Sequence, residues 1–358
     1  MAPKPRNKEN KGLPKRWRYK NGAYRYQVPR GQEAAWGGKR EFTLGKTLPE
    51  AYRAWSERLS AAEDIHTVAE LFDRYALEVI PTYESYKTRE TKSLAVRRLR
   101  GPFGRMDPEA IEPIDVYRYA DKITRNHGLT SANRDVETLS HILSTAVKWG
   151  IIKQNQLLGQ VRLDQPQARD RLVTDEEIDT ALNIPSKSRG AVIAKLHIRL
   201  KLMTGLRRKD ILQLKLSDIR ADGIHVQPSK TKKTSGKRLI IEWDKDGELR
   251  AVIDEILRVP PRRIGDAPLF ITRDGNSYLN ANGQARAFDN LWQRFMDKVE
   301  AAGVTRFQER DLRAKVASDS DSLVEASERL GHADTAITQR VYRRKPVRVQ
   351  PLVSRRKS

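Results

Sequence analysis

Cysteine is absent from this chain of 358 residues. That excludes disulfides, thiolate metal sites and a cysteine nucleophile, and it fits a reducing compartment. Histidine is scarce, with six residues scattered without metal-ligand spacing, so no metal centre is expected. No apolar run approaches the ~20 residues of a membrane span. The opening MAPKPRNKENKGLPKRWRYK lacks the apolar core of a secretory signal. A soluble, cytoplasmic protein is expected. No P-loop and no carboxylate cluster stand out, so no cofactor is expected either.

Acidic residues are also in deficit. Lys and Arg number 69 against 46 Asp and Glu, a net charge of +23. This balance favours a polyanionic partner, bound through counterion release and with steep salt dependence. The plainer reading is charge for solubility alone. The length has room for two or three domains, and no internal repeat or heptad array is visible.

The N-terminal segment is basic and punctuated by Pro3, Pro5 and Pro14. KRWRYK and AYRYQV then flank Asn21-Gly22, a strong hairpin signal because both central residues of a type I′ turn need positive φ. KREFTLG (39–45) reads as a third strand and 48–63 as a helix. Strand alternation puts Trp17 and Tyr19 on one parity and Arg16, Arg18 and Lys20 on the other. With Arg25, these cations form either a DNA-gripping face or an ordinary solvated one.

Residues 64–165 are helical in pattern. The stretch 65–80 spaces Val68, Leu71, Phe72 and Tyr75 on one face. In 130–150, Val136, Leu139, Leu143 and Ala146 repeat, Thr130 or Ser131 is the expected N-cap, and Gly150 the expected terminator. Lys87, Arg89, Lys92, Arg97, Arg98 and Arg100 make one stretch basic, as a DNA contact or as a solvated face. Periodicity fades over 151–171, which reads as a linker. A helix then starts at the capping box Thr174/Glu177.

Four later stretches carry the chemistry: TGLRRKD (204–210), SKTKKTSGK (229–237), RDLR (310–313) and LGHADTAITQRVYRR (330–344). Arginine forks clamp two non-bridging phosphate oxygens at once. A lysine can protonate a leaving oxygen, and a tyrosine can become the covalently attached nucleophile. Gly205 permits a sharp turn ahead of Arg207. Arg208 and Lys209 are expected to face solvent or a DNA backbone.

These stretches resemble those of the tyrosine recombinases, the phage integrase family, over roughly the C-terminal half. The resemblance implies Arg207 and Arg313 as the phosphate-binding arginines, His332 as a donor to the phosphate and Tyr342 as the nucleophile. Asp210 takes the position of a supporting acid. The general-acid lysine is Lys230 counted from the first strand of the hairpin, or Lys233 counted back from the second; Lys230 is favoured. Where the family has histidine, three residues before the second arginine, this chain has Arg310. An arginine donates to a phosphate but cannot accept the tyrosine proton, so the general base stays open.

The implied architecture is multidomain, mainly α with small β-sheets. It has an arm-type DNA-binding module (1–63), a helical core-binding, SAM-like domain (64–165) and a mixed α+β catalytic domain with a C-terminal tail (172–358). The implied partners are double-stranded DNA attachment sites, three further copies of the chain in a tetramer, and DNA-bending or excision-directing accessory proteins. Arg16, Arg18, Lys20, Arg25, Lys87, Lys92 and Lys233 are the expected DNA contacts. Val347, Val349, Leu352 and Val353 of the tail are suited to docking on a neighbouring subunit. The N-terminal extension favours a phage or genomic-island integrase over the shorter Xer-type resolvases. Two rivals are a DNA-binding protein whose catalysis has decayed and a type IB topoisomerase-like nicking-closing enzyme. Whether cleavage runs in cis or in trans is open.

Overall fold

A computed structural model of the chain describes residues 10, 13–14, 16–28, 33, 38–60 (backbone alone at 56–60), 65–229, 236, 238–332 and 334–345. Two compact units are present, Met1–Pro166 and Gln167–Ser358. The boundary falls within the segment 151–171, where the sequence loses its helical period.

The first unit opens with an antiparallel sheet in the order β1 (Trp17–Lys20), β2 (Ala23–Gln27), β3 (Glu41–Gly45). Asn21 (φ 53°) and Gly22 (φ 73°) make the left-handed turn that the dipeptide predicts. The register pairs Trp17 with Tyr26 and Arg18 with Arg25. One face buries Trp17, Tyr26 and Leu44 against Ala51 and Trp55 of α1 (Leu48–Ser60). The Tyr26 and Trp55 ring centroids are 4.2 Å apart, and such aromatic clusters hold a module too small for a large aliphatic core. Arg18 and Arg25 converge on Glu41, at 2.7 and 3.7 Å. Arg16 and Lys20 stay exposed.

Four helices follow: α2 (Val68–Glu78), α3 (Tyr86–Phe103), α4 (Pro113–His127) and α5 (Leu129–Lys148). Thr67 and Glu70 close a capping box on α2, whose buried face is Val68, Leu71, Phe72 and Tyr75. Each such side chain contributes roughly 1.5–3 kcal/mol by leaving water. The expected cap of α5 at Thr130 or Ser131 is not found. Gly128 (φ 82°) is the N-cap and joins α4 to α5 with no loop between them, and Ser131 Oγ donates to the His127 carbonyl at 2.9 Å. The terminator does hold. Gly150 (φ 72°) donates to Val147 O and Ile151 to Ala146 O, both at 3.0 Å, a Schellman ending. The basic stretch of α3 is not simply a solvated face. Arg98 Nε donates to the fully buried Asp135 at 2.6 Å, Arg100 Nη1 to Asp73 at 3.3 Å and Lys92 to Thr138 at 3.3 Å. Lys87 pairs with Glu90 at 2.8 Å on the surface.

The second unit begins with α6 (Asp175–Asn183), where the Thr174/Glu177 capping box forms. α7 (Arg189–Thr204) buries residues all around its circumference, the mark of a central helix. Around it lie α8 (Arg208–Gln213), the antiparallel sheet β4 (Ile219–Arg220), β5 (Gly223–Val226) and β6 (Leu239–Glu242), then α9 (Glu248–Arg258), α10 (Arg286–Ala301), α11 (Glu309–Asp319) and α12 (Leu323–Arg329). A short helix, α13 (Thr335–Ile337), runs into a π-helical turn at Thr338–Tyr342. Asp334 caps a single turn through Ala336 N–H at 2.8 Å, and Arg343 N–H reaches back five residues to Thr338 O at 3.0 Å. No described helix is long and apolar enough to cross a membrane.

Candidate active site

The end of α7 builds the first part of the site. Gly205 adopts φ 63°, and a Cβ there would lie 3.0 Å from Leu330 Cδ2 and 3.2 Å from Val316 Cγ1. Only glycine fits a left-handed turn this close to its neighbours. The buried Lys201 Nζ donates to Leu206 O at 3.1 Å. The next residue, Arg207, caps α8 and leaves its side chain half-buried.

α11 supplies the second part. Arg313 is 3% exposed. Its guanidinium donates to Gly205 O, to Leu330 O at 2.6 Å and to His332 Nε2 at 2.9 Å. One side chain thus ties the Arg207 turn to the end of α12. Burial and the nearby Arg207 pull the Arg313 pKa down to about 10, with Tyr342 and Asp210 acting the other way. It remains a cation at neutral pH.

The last part comes from the turn after α12. Gly331 (φ 62°) reverses the chain, and His332 N–H bonds Ser327 O at 2.9 Å. The imidazole is buried; its Nδ1 lies 2.7 Å from Thr338 Oγ1. The His332 and Tyr342 ring centroids are 5.1 Å apart, and the Arg313 guanidinium carbon is 5.3 Å from the Tyr342 ring.

Arg207, Arg310, Arg313 and Tyr342 line one cleft of 380 Å³, with Lys201 and Glu309 beside them. Arg310 is exposed there. The carboxylates next to it in sequence are engaged elsewhere: Glu309 by His197, Lys201 and Arg208, and Asp311 by Arg169 and Arg344. Asp210 is buried, and its Oδ1 accepts the Ser229 N–H at 2.9 Å. That bond fixes the residue immediately before Lys230. Lys230 and Lys233 themselves lie outside the described residues, as do Val347, Val349, Leu352 and Val353 of the tail. Arg16, Arg18, Lys20, Arg25, Lys87 and Lys92 belong to the first unit. Among the described residues, no cluster of His, Asp and Glu is suited to hold a metal ion.

Residues 171–347 match the phage integrase family. The chain carries a phage integrase domain. Its fold is similar to a lambda integrase dimer bound to a COC′ core site, with 20% identity, TM-score 0.63, and coverage of 95% of this chain and 98% of that one. A lambda integrase tetramer bound to a Holliday junction gives the same values. The Tn1549 transposon integrase in complex with circular intermediate DNA gives 16% identity, TM-score 0.59, and coverage of 78% and 95%. A comparison with curated protein sequences gives no match. Residues 171–347 are thus of the phage integrase family, and the fold is mainly helical, with two three-stranded antiparallel sheets among the described residues. The expected fold class and family hold.

Beside the cleft lies a buried polar group that the motifs did not reveal. His197 Nε2 lies 2.8 Å from Glu309 Oε2, with Lys201 Nζ at 3.6 Å from the same oxygen and Arg208 Nη1 at 3.3 Å from Oε1. Burial holds His197 below the usual imidazole range, so the neutral ring donates to Glu309. Burial also lowers Lys201 to about 8. Burial pushes the Glu309 carboxyl up, but His197, Lys201 and Arg208 outweigh that and hold it at about 2. Arg208 therefore turns toward protein acids, including Asp289 at 2.5 Å, and not simply to solvent or DNA as expected. A signal was present in the sequence. His197 and Lys201 sit four apart inside an apolar run, on one face of a helix, and two such groups need a buried anion.

Proposed function

We propose that this integrase cuts and rejoins double-stranded DNA at attachment sites, integrating or excising a phage or mobile element through a 3′-phosphotyrosyl intermediate. The carrying observation is the cleft. Arg207, Arg310, Arg313 and Tyr342, drawn from three separate segments of the chain, line one cavity. Three guanidiniums around one hydroxyl suit a phosphodiester and little else.

The Tyr342 oxygen attacks the scissile phosphorus, forming the P–O bond to tyrosine as the bond to the 5′ oxygen breaks. Lys230 protonates that departing oxygen. Arg310, a permanent cation, does not take the tyrosine proton. Arg207, Arg310 and Arg313 stabilise the charge that gathers on the non-bridging oxygens, the electrostatic term that usually dominates such reactions. His332 orients Arg313 through the 2.9 Å contact, and it donates to the phosphate from Nε2 when the ring is protonated. The phosphotyrosine conserves the energy of the broken bond, and attack by a partner strand's 5′-hydroxyl rejoins exchanged strands.

In this reading residues 1–63 read distal arm sites, 64–165 clamp the core site and 172–358 perform the chemistry, as a homotetramer in the cytoplasm of a bacterial host. Arg16, Arg18, Lys20 and Arg25 of the sheet, with Lys87, Lys92 and Lys233, supply DNA contacts. Accessory DNA-bending or excision-directing proteins would assist.

Covalent trapping tests the proposal. Wild type, Tyr342→Phe and Arg313→Ala are incubated with nicked DNA from the element's own junction, without metal or ATP. A denaturation-resistant, 3′-linked adduct in wild type and none in Tyr342→Phe is the expected result. Specific binding without any adduct would favour a decayed DNA-binding protein. Supercoil relaxation without recombinant products would favour a nicking-closing enzyme.

A further inference from the structure

Asp311 lies between Arg310 and Arg313 in sequence, yet its fully buried carboxylate serves a different purpose. Arg169 Nε donates to both its oxygens, at 2.9 and 3.0 Å. Gln308 N–H reaches it at 2.8 Å, and Arg344 Nη1 at 2.8 Å. Arg344 Nη1 also donates to Arg171 O at 2.5 Å, and its side chain is 7% exposed. Its backbone N–H donates to Ser318 Oγ at 2.9 Å, and that hydroxyl donates to Tyr342 O at 3.2 Å. The residue two positions past the tyrosine is therefore pinned at two points of α11, and against the linker residues that open the second unit.

A buried arginine on a buried carboxylate has a positional meaning. Charge pairs of this kind contribute little net stability against apolar replacements, but breaking one is costly. The bonds fix where the chain sits. We propose that Arg344 is a positioning residue for the reaction: seated on Asp311 and on the Arg171 carbonyl, it holds the Tyr342 segment at the cleft of its own chain. The seat is half made of linker, so the nucleophile is in place only while residues 169–171 lie against α11. This rests on reading Tyr342 as the nucleophile.

Two measurements on the full chain test it. Single-turnover cleavage of nicked site DNA is compared with DNA affinity for Arg344→Ala and Arg344→Lys, and trypsin cleavage at Arg340 and Arg343 is timed without DNA. Arg344→Ala should cleave on the order of 10–100-fold more slowly at unchanged affinity, the scale of a misplaced reacting group. It should also be cut faster by trypsin at those two sites. Arg344→Lys should recover part of both, because an ammonium reaches the carboxylate but lacks the planar fork. Arg169→Ala should loosen the same segment more mildly. A wild-type cleavage rate in Arg344→Ala, or a parallel fall in rate, DNA affinity and melting temperature, would overturn the proposal. An adduct that persists in Tyr342→Phe would sink the nucleophile reading instead, and the trypsin arm would still decide the seat.

Discussion

The guanidinium of Arg313 meets the imidazole of His332 at 2.9 Å. A guanidinium only donates, so His332 Nε2 accepts and the ring proton sits on Nδ1, directed at Thr338 Oγ1 2.7 Å away. Replacing Thr338 with Val leaves that buried proton unpaired. A loss of about 1–3 kcal/mol in unfolding free energy is expected, together with slower adduct formation as the ring is released from its tautomer. Denaturant melts and single-turnover cleavage measure the two effects, and a neutral outcome in both would refute this assignment.

On the proposed mechanism Asp210 bears on the leaving-group side. Its bond to Ser229 N–H anchors the hairpin that carries Lys230. Asp210→Ala should slow cleavage by up to about 100-fold, the lower end of the range for loss of positioned acid catalysis, while DNA affinity holds. A DNA substrate with sulfur in place of the 5′ bridging oxygen departs without a proton and should restore the rate. Equal defects on both substrates would mean that Asp210 acts elsewhere.

Gly205 tests the turn itself. Alanine there meets a left-handed backbone (φ 63°) and the side chains of Leu330 and Val316 at 3.0–3.2 Å. Gly205→Ala should lower stability by about 1–3 kcal/mol and displace Arg207 and the carbonyl that receives Arg313. Thermal unfolding and adduct yield should fall together. A variant as stable and active as wild type would contradict the packing described.

The buried anion gives a pH signature. Glu309 is held at about 2 in the folded chain against an ordinary 4.5. A carboxyl with a depressed folded pKa contributes stability that is present above its unfolded value and is lost as pH falls toward the folded one. Unfolding free energy should therefore decline from about pH 4.5 toward pH 2, and Glu309→Gln should flatten that part of the curve. Urea melts across this range decide it; an unchanged slope would remove Glu309 from the account.

Local chemistry was legible in the sequence, and long-range pairing was not. Asn21-Gly22, the Thr174/Glu177 box and Gly150 each act through neighbours within a few residues, so their outcomes followed from propensity alone. The segments bearing Arg207, Arg310, Arg313, His332 and Tyr342 were recognisable through their wording, and the fold brings four of these side chains into one cleft. The α5 cap was misread because Thr130 and Ser131 are good caps in isolation, while Gly128 has the backbone freedom to start the helix earlier. Asp311 with Arg169, and Glu309 with His197, span 142 and 112 residues. No periodicity carries such a pairing; a buried charge only says that some partner exists.

α11 has eleven residues, and five of its seven polar ones share three duties. Arg310 and Arg313 face the cleft, Glu309 closes the buried cation group, and Asp311 and Ser318 seat the tyrosine segment. Asp311 through Ser318 are all buried, which leaves little solvent side on which to rotate. A slip of one residue would turn the helix by ~100° and cancel all of these duties at once. On the proposed mechanism the site is therefore geared to a single shaft: whatever sets the angle of α11 sets phosphate binding and nucleophile placement together.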